Sequence, residues 1–216
     1  VKSGKGGRMR EYDWGGNVIW EHIDDHQHHD ARRLPNGNLV YIAWQEFKTE
    51  EAARVKGGIP GTEMDGKIYG EVIREVDSQG TVVWEFINNG LEFMEKYEIK
   101  SLAPKYEYGH ANTISPMANG DYLVSYRVFD LIVIVDRQTG KLKWEYQNHA
   151  LGGQHDCQEL ENGNILVFAN GHNTSSPGPN YSQVWEIERS TQEIVWRYFP
   201  KKNPITFWSP HISGCQ

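Results

Sequence analysis

Four histidines recur at matching points along the chain: His29 in His28-His29-Asp30, His110 in Gly109-His110-Ala111-Asn112, His155 in Gly153-Gln154-His155-Asp156, and His211 in Ser209-Pro210-His211-Ile212. An imidazole titrates near neutral pH, so histidines that converge in space can ligate a metal, move protons or attack as a nucleophile. The run His26-Gln27-His28-His29-Asp30 lacks the helical spacing of metal ligands. On a strand, alternate residues face opposite ways, which puts His29, Ala31 and Arg33 on one side and His28, Asp30 and Arg32 on the other. The expectation is no metal and no cofactor, with His29, His110, His155 and His211 as catalytic candidates. His28, Arg33 and Asn112 are candidates for holding substrate. An arginine can grip sulfate, phosphate or carboxylate oxygens bidentately, and an asparagine adds an amide donor. The plainer readings are that each histidine caps its own strand, that Arg33 pairs with a surface carboxylate, and that Asn112 is a strand-end turn residue.

The elements that would bring these residues together are visible as a repeat. Each unit opens on a histidine, passes through an Asn-Gly turn and a strand, and closes on a hairpin ending in Trp. Asn36-Gly37, Asn119-Gly120 and Asn162-Gly163 mark the turns, and Trp84, Trp144 and Trp196 close the units. Asn-Gly suits a two-residue type I′ hairpin, because both residues tolerate positive φ. Four antiparallel strands recurring every ~50–60 residues are the pattern of a propeller blade. The expected fold is therefore all-β, a single β-propeller domain of four-stranded antiparallel blades over residues 1–216. Its blades fall near 29–84, 85–144 and 145–196, with partial blades at 8–28 and 197–216. A β-sandwich with accidental similarity is the alternative. The segments 46–55 and 91–100 read as short helices or ordered loops within inserts. In a propeller, matching positions converge on the central channel, so the four histidines are expected at one channel mouth.

Bulk composition sets limits. The chain has 216 residues, 38% hydrophobic and 24% charged, enough for one domain with a substantial core. A net charge of −7 argues against nonspecific binding to nucleic acid or anionic membrane. No apolar run approaches the ~20 residues of a membrane helix, and the basic, Gly-rich start reads as no signal peptide. Cys157 and Cys215 make no disulfide framework; one long-loop disulfide or two free thiols both fit. Oligomeric state is not readable from the sequence.

The motifs His28-His29-Asp30-Ala31-Arg32-Arg33-Leu34-Pro35-Asn36-Gly37-Asn38, Gly153-Gln154-His155-Asp156, Gly163 through Gly171 and Ser209-Pro210-His211-Ile212-Ser213-Gly214 resemble those of the PAPS-independent arylsulfotransferase family, the β-propeller aryl-sulfate sulfotransferases. The resemblance implies a six-bladed propeller, of which this chain would be a partial copy continuing beyond Gln216. It also implies a periplasmic or secreted setting. It implies small-molecule partners, a phenolic sulfate and a phenol, with the sulfuryl group passing through a sulfohistidine. His110, His155 and His211 resemble the family's channel histidines, and His211 is the expected nucleophile. The characterised enzymes carry an Arg after the Asn-Gly that follows the His155-type motif. Here His172 follows Asn170-Gly171, and it could replace that Arg only when protonated. The competing functions are a non-catalytic propeller that binds a small anionic or aromatic ligand or a protein, and a polysaccharide lyase-type enzyme with a histidine base and Arg33 neutralising a uronate.

Overall fold

A computed structural model describes residues 6–172 and 181–216. Strands β1 (Arg8–Tyr12) and β2 (Val18–Ile23) form a hairpin of their own. Strands β3 (Gln27–Arg33) and β4 (Leu39–Glu46) begin the first four-stranded sheet. An insert with helix α1 (Thr49–Ala52) and strand β5 (Gly57–Ile59) follows, and β6 (Tyr69–Val76) and β7 (Val82–Ile87) complete that sheet. A second insert carries α2 (Leu91–Lys96) and β8 (Ile99–Pro104). The second sheet is β9 (Ala111–Pro116), β10 (Tyr122–Tyr126), β11 (Leu131–Val135) and β12 (Leu142–Gln147). The third is β13 (His155–Glu159), β14 (Ile165–Ala169), β15 (Gln183–Ile187) and β16 (Ile194–Tyr198). Within each four-stranded sheet the strands pair antiparallel in chain order. The described residues are thus all-β, with two short α-helices in the inserts and short 3-10 turns at Arg127–Phe129, His149–Leu151 and Pro204–Phe207. Among the described residues no helix is long and apolar enough to cross a membrane.

The Asn-Gly turns take a different form from the two-residue one expected. Leu34 N–H donates to Asn38 O and Gly37 N–H to Leu34 O, closing a three-residue loop, and Met117–Asp121 and Leu160–Asn164 repeat both bonds. Gly37, Gly120 and Gly163 have φ of 86°, 87° and 83°, while the asparagines stay at negative φ. Only glycine enters the left-handed position of such a loop without cost. Each asparagine instead accepts the N–H two residues on, Asn36 from Asn38, Asn119 from Asp121 and Asn162 from Asn164.

The sheets stack face on face, which explains their unbroken apolar runs. β10 and β11 (Leu-Ile-Val-Ile-Val) are buried at every position, because both faces are covered. Val40, Ile42 and Ile73 of the first sheet meet Val124, Leu131 and Val133 of the second. On the other side, Leu123, Ile132 and Ile134 meet Val167, Trp185 and Ile187 of the third. The first hairpin packs Met9 and Trp20 on Tyr41 and Val72. Cys157 and Cys215 are both free thiols.

A buried carboxylate ties the first two sheets. Glu75 accepts from Arg137 Nε (2.7 Å) and Nη2 (3.0 Å), Tyr122 Oη (2.7 Å) and Asn38 Nδ2 (2.6 Å). Replacing Glu75 by Ala strands three donors, one of them a half-exposed cation. We expect a loss of about 2–4 kcal/mol in urea unfolding, larger than for Arg137→Ala.

Candidate functional site

The leading strands β3, β9 and β13 lie side by side, joined by side chains that bond to backbone. Asp30 Oδ2 accepts from Ile114 N–H at 3.1 Å, Thr113 Oγ1 from Asp156 N–H at 2.8 Å, and Asp156 Oδ2 from Cys215 N–H at 2.8 Å. Each leading strand also carries a bulge. The ladders slip between His28 and Ala31, at Asn112, and between His155 and Gln158. His29, His110 and Asp156 stand at these points with φ of 54°, 51° and 50°. A residue in this region breaks strand alternation and re-aims its neighbours.

The bulge takes His29 and Asp30 out of the two-sided reading of β3, while Ala31 and Arg33 still share one face and His28 and Arg32 the other. His28 pairs with Ile42 and is fully buried, while His29 is exposed within the bulge. His155, opposite Phe168, occupies the rung that corresponds to His28 rather than to His29. His29 still meets His110, with ring centroids 4.6 Å apart and edges to faces, and His28 Nδ1 lies 2.7 Å from His29 Nδ1.

Two buried carboxylates hold this group. Glu71 Oε2 is 2.8 Å from His28 Nε2, an ion pair off the line of a straight N–H bond. Glu107 Oε2 lies 2.7 Å from His110 Nδ1, and its Oε1 accepts from Trp44 Nε1 at 2.9 Å. Burial lowers His29, helped by the charges of His110 and His28, to about 3. Burial alone would also lower His28, but the facing Glu71 carboxylate raises it. Glu107 is pulled down to about 2 against its burial by the charge and hydrogen bond of His110. His28, Glu71 and Glu107 bring ligand atoms within 4.8 Å of one another, the spacing a cation would need. The direct His28–Glu71 contact is that of an ion pair, and both Glu107 oxygens are already engaged by His110 and Trp44.

His155 is half-buried, and Asn170 Oδ1 sits 2.8 Å from its Nδ1. The Asn170 amide is oriented by its other end, since Nδ2 donates to Ser209 O (2.8 Å), which can only accept, and to Ser213 Oγ (3.1 Å). His155 therefore carries its proton on Nδ1 and a lone pair on Nε2. Burial lowers its pKa to about 4.

A cavity of about 870 Å³ opens beside this group, lined by Arg127, His149, His172, His211, Gly153 and the insert strand β8. Arg127 is half-buried, with its backbone N–H on His110 O at 3.1 Å, and its charge is felt by His155 and His172. Its guanidinium makes no ion pair and no hydrogen bond among the described residues. The neighbouring Lys100 is neutralised by Asp130, which also accepts from Gly153 N–H at 2.8 Å and faces His149 at 3.2 Å. Gly152 has φ of 60°, and a Cβ there would lie 2.4 Å from His172 N, so the backbone closes only around glycine.

Of the remaining candidates, only His211 and His172 reach the cavity. His211 is exposed, 5.3 Å from His172 ring to ring. Burial lowers His172, with help from His211 and Arg127, so it is a poor stand-in for an arginine. Asn112 is buried and donates Nδ2 to Gln154 O at 2.7 Å, which joins strands rather than holding substrate. Arg33 is engaged by Glu11 at 2.7 Å and lies over the Trp20 ring at 4.1 Å, which removes the free cation a uronate reading needs. His28 is sealed behind His29, out of reach of a substrate. Arg127, Glu71, Glu107 and Asn170 were missed. Arg127 follows an apolar strand and Glu107 lies three residues before a channel histidine, so only those placements could have signalled them.

The model of the Arylsulfotransferase (ASST) family matches residues 1–151, a span that holds His29, His110 and Arg127 and stops short of His155. No curated protein matches the chain. Among solved structures, a protein of unknown function from Bacteroides caccae is similar in fold, with TM-score 0.52 and 16% identity over 91% of this chain. The chain spans 57% of that protein's length.

A ring nitrogen with these neighbours has a testable titration. By histidine NMR, His155 should remain neutral until the pH falls to about 4. The Asn170 bond opposes that depression, so Asn170→Ala should lower the midpoint further.

Proposed function

Because the chain belongs to the arylsulfotransferase family, we propose that it transfers a sulfuryl group from a phenolic sulfate to a phenol through His155. The carrying observation is Arg127, a guanidinium at the cavity wall with no ion pair or hydrogen bond among the described residues, held in the longer-range field of Glu107 and Asp130, beside a histidine held neutral. A sulfate ester is an anion whose oxygens need such a cation as the S–O bond breaks. His155 Nε2 attacks sulfur, the aryl oxygen leaves with its electron pair, and a nearby imidazolium protonates it. A phenol then attacks the sulfohistidine, the S–N bond breaks, and the phenol's proton passes to an imidazole. Asn170 accepts the Nδ1 proton throughout, which steadies the ring while it is cationic. This reading moves the nucleophile from His211, which has no orienting partner among the described residues, to His155.

In the same reading the three four-stranded sheets are propeller blades around a channel, in one domain. The side-by-side leading strands support it. So does Cys215, whose N–H is held by Asp156 as that of Ile114 is held by Asp30. His211 precedes Cys215 by the same spacing at which His110 precedes Ile114, which makes His211 the opening histidine of a further unit.

Nitrophenolate release from 4-nitrophenyl sulfate with a phenol acceptor tests the activity, and intact mass tests the adduct. His155→Ala should abolish the sulfuryl adduct, and Arg127→Ala should lower kcat/KM about 10²–10³-fold. An adduct that survives His155→Ala and disappears in His211→Ala refutes the assignment. Since His155 is neutral above its pKa of about 4, its nucleophilic form should be lost only as the pH falls to that range.

A further inference from the structure

We propose that Glu71 and His28 form a buried proton store that serves the channel through His29, so that the proton given to the departing phenolate is recovered from the incoming phenol. This rests on the sulfuryl-transfer reading. The geometry is a line of contacts running inward from the channel. His29 is exposed at its outer end, its Nδ1 is 2.7 Å from Nδ1 of fully buried His28, and His28 Nε2 is 2.8 Å from Glu71. Two imidazole nitrogens at that distance share one proton, so one is the donor and the other the acceptor. Neither Glu71 oxygen nor the facing His28 Nε2 makes a hydrogen bond, so their contact is an ion pair, and Glu71 is fully buried. A carboxylate in that position is costly unless a cation faces it, and His28 is the group in contact.

The step balances. In the loaded state His28 carries protons on both nitrogens and donates Nδ1–H to His29, whose own proton is on Nε2. As the aryl–oxygen bond to sulfur breaks, the phenolate takes the His29 Nε2 proton. The His28 Nδ1 proton crosses to His29 Nδ1, leaving His28 neutral beside Glu71. In the second half the acceptor phenol gives its proton to His29 Nε2, the His29 Nδ1 proton returns to His28, and the store is reloaded. No proton is gained or lost over the cycle. The titratable groups facing this line are Glu107, His110, His155 and Tyr126. Glu107 is paired to His110, which keeps that carboxylate from competing for the stored proton. His28 is raised by the facing Glu71 against its burial, Glu71 is itself raised by burial, and His29 is lowered, which agrees with a proton resting on the inner pair rather than on His29.

His28 and Glu71 act through His29 and are positioning residues, so the test must read more than rate. Glu71→Gln keeps the side-chain size and removes its charge. Transfer from phenyl sulfate, whose phenolate must be protonated as it leaves, should fall about a hundredfold. Transfer from 4-nitrophenyl sulfate, with a stable leaving phenolate, should fall far less, and His28→Gln should show the same ratio. Equal losses with both donors overturn the proposal, because a disturbed structure would act on both alike. Nitrogen-15 histidine spectra of the unmodified protein provide a reading that needs no variant. His28 should be doubly protonated at neutral pH and His29 singly, and a neutral His28 overturns the proposal. A stoichiometric metal in the purified protein that is lost in Glu71→Gln also overturns it. If 4-nitrophenyl sulfate yields no sulfuryl adduct at all, the transfer reading fails, while the spectra still decide where the proton sits.

Discussion

Everything near the histidines depends on side chains that bond backbone N–H groups of the next leading strand. Asp30 holds Ile114, Thr113 holds Asp156, and Asp156 holds Cys215. Bulged strands cannot complete their own ladders, and an unpaired buried N–H costs as much as a lost hydrogen bond. The bulges and these bonds therefore come as a set. The bulge turns a histidine out of strand alternation, and the neighbouring strand's N–H gains the acceptor that the irregular backbone exposes. The aspartate of a His-Asp pair is thus a strut, and the histidine beside it is free for chemistry.

The repeat was legible because turns and buried strands leave local marks. Gly37, Gly120 and Gly163 sit where only glycine fits, and the paired faces of β10 and β11 leave runs such as Leu131–Val135 without a polar break. The second insert could be read as helix for similar reasons, and α2 occupies the first part of the expected segment. The site was legible only in part. Strand alternation could not place His29 and Asp30, because the bulge inserts these two residues opposite the single step from Ile42 to Tyr41. Arg127 and Glu71 carry no motif. Their importance comes from what surrounds them in space, a cavity wall where no carboxylate pairs with the cation in one case and a burial without a hydrogen-bond donor in the other.

Charge in the site is sorted by pairing. Asp130 neutralises Lys100, Glu107 answers His110, and Glu71 answers His28, which leaves Arg127 as the cation turned toward the cavity without a partner among the described residues. The same burial that isolates Arg127 keeps His29 and His155 neutral. One environment thus supplies both an anion holder and uncharged imidazoles, because removing water penalises a histidine's charge more readily than an arginine's.

The strands of the two inserts, β5 and β8, pair in parallel with each other and belong to none of the four-stranded sheets. Of the two, β8 nonetheless furnishes one wall of the cavity, through Ile99, Leu102, Ala103 and Pro104. The fold thereby separates what must be kept from what can vary. The ladders and struts set the reacting groups, while the wall facing the rest of a bound molecule is carried by segments that tolerate changes of length. Divergence of such a protein toward other ligands would be written first in residues 88–106, leaving the histidines untouched.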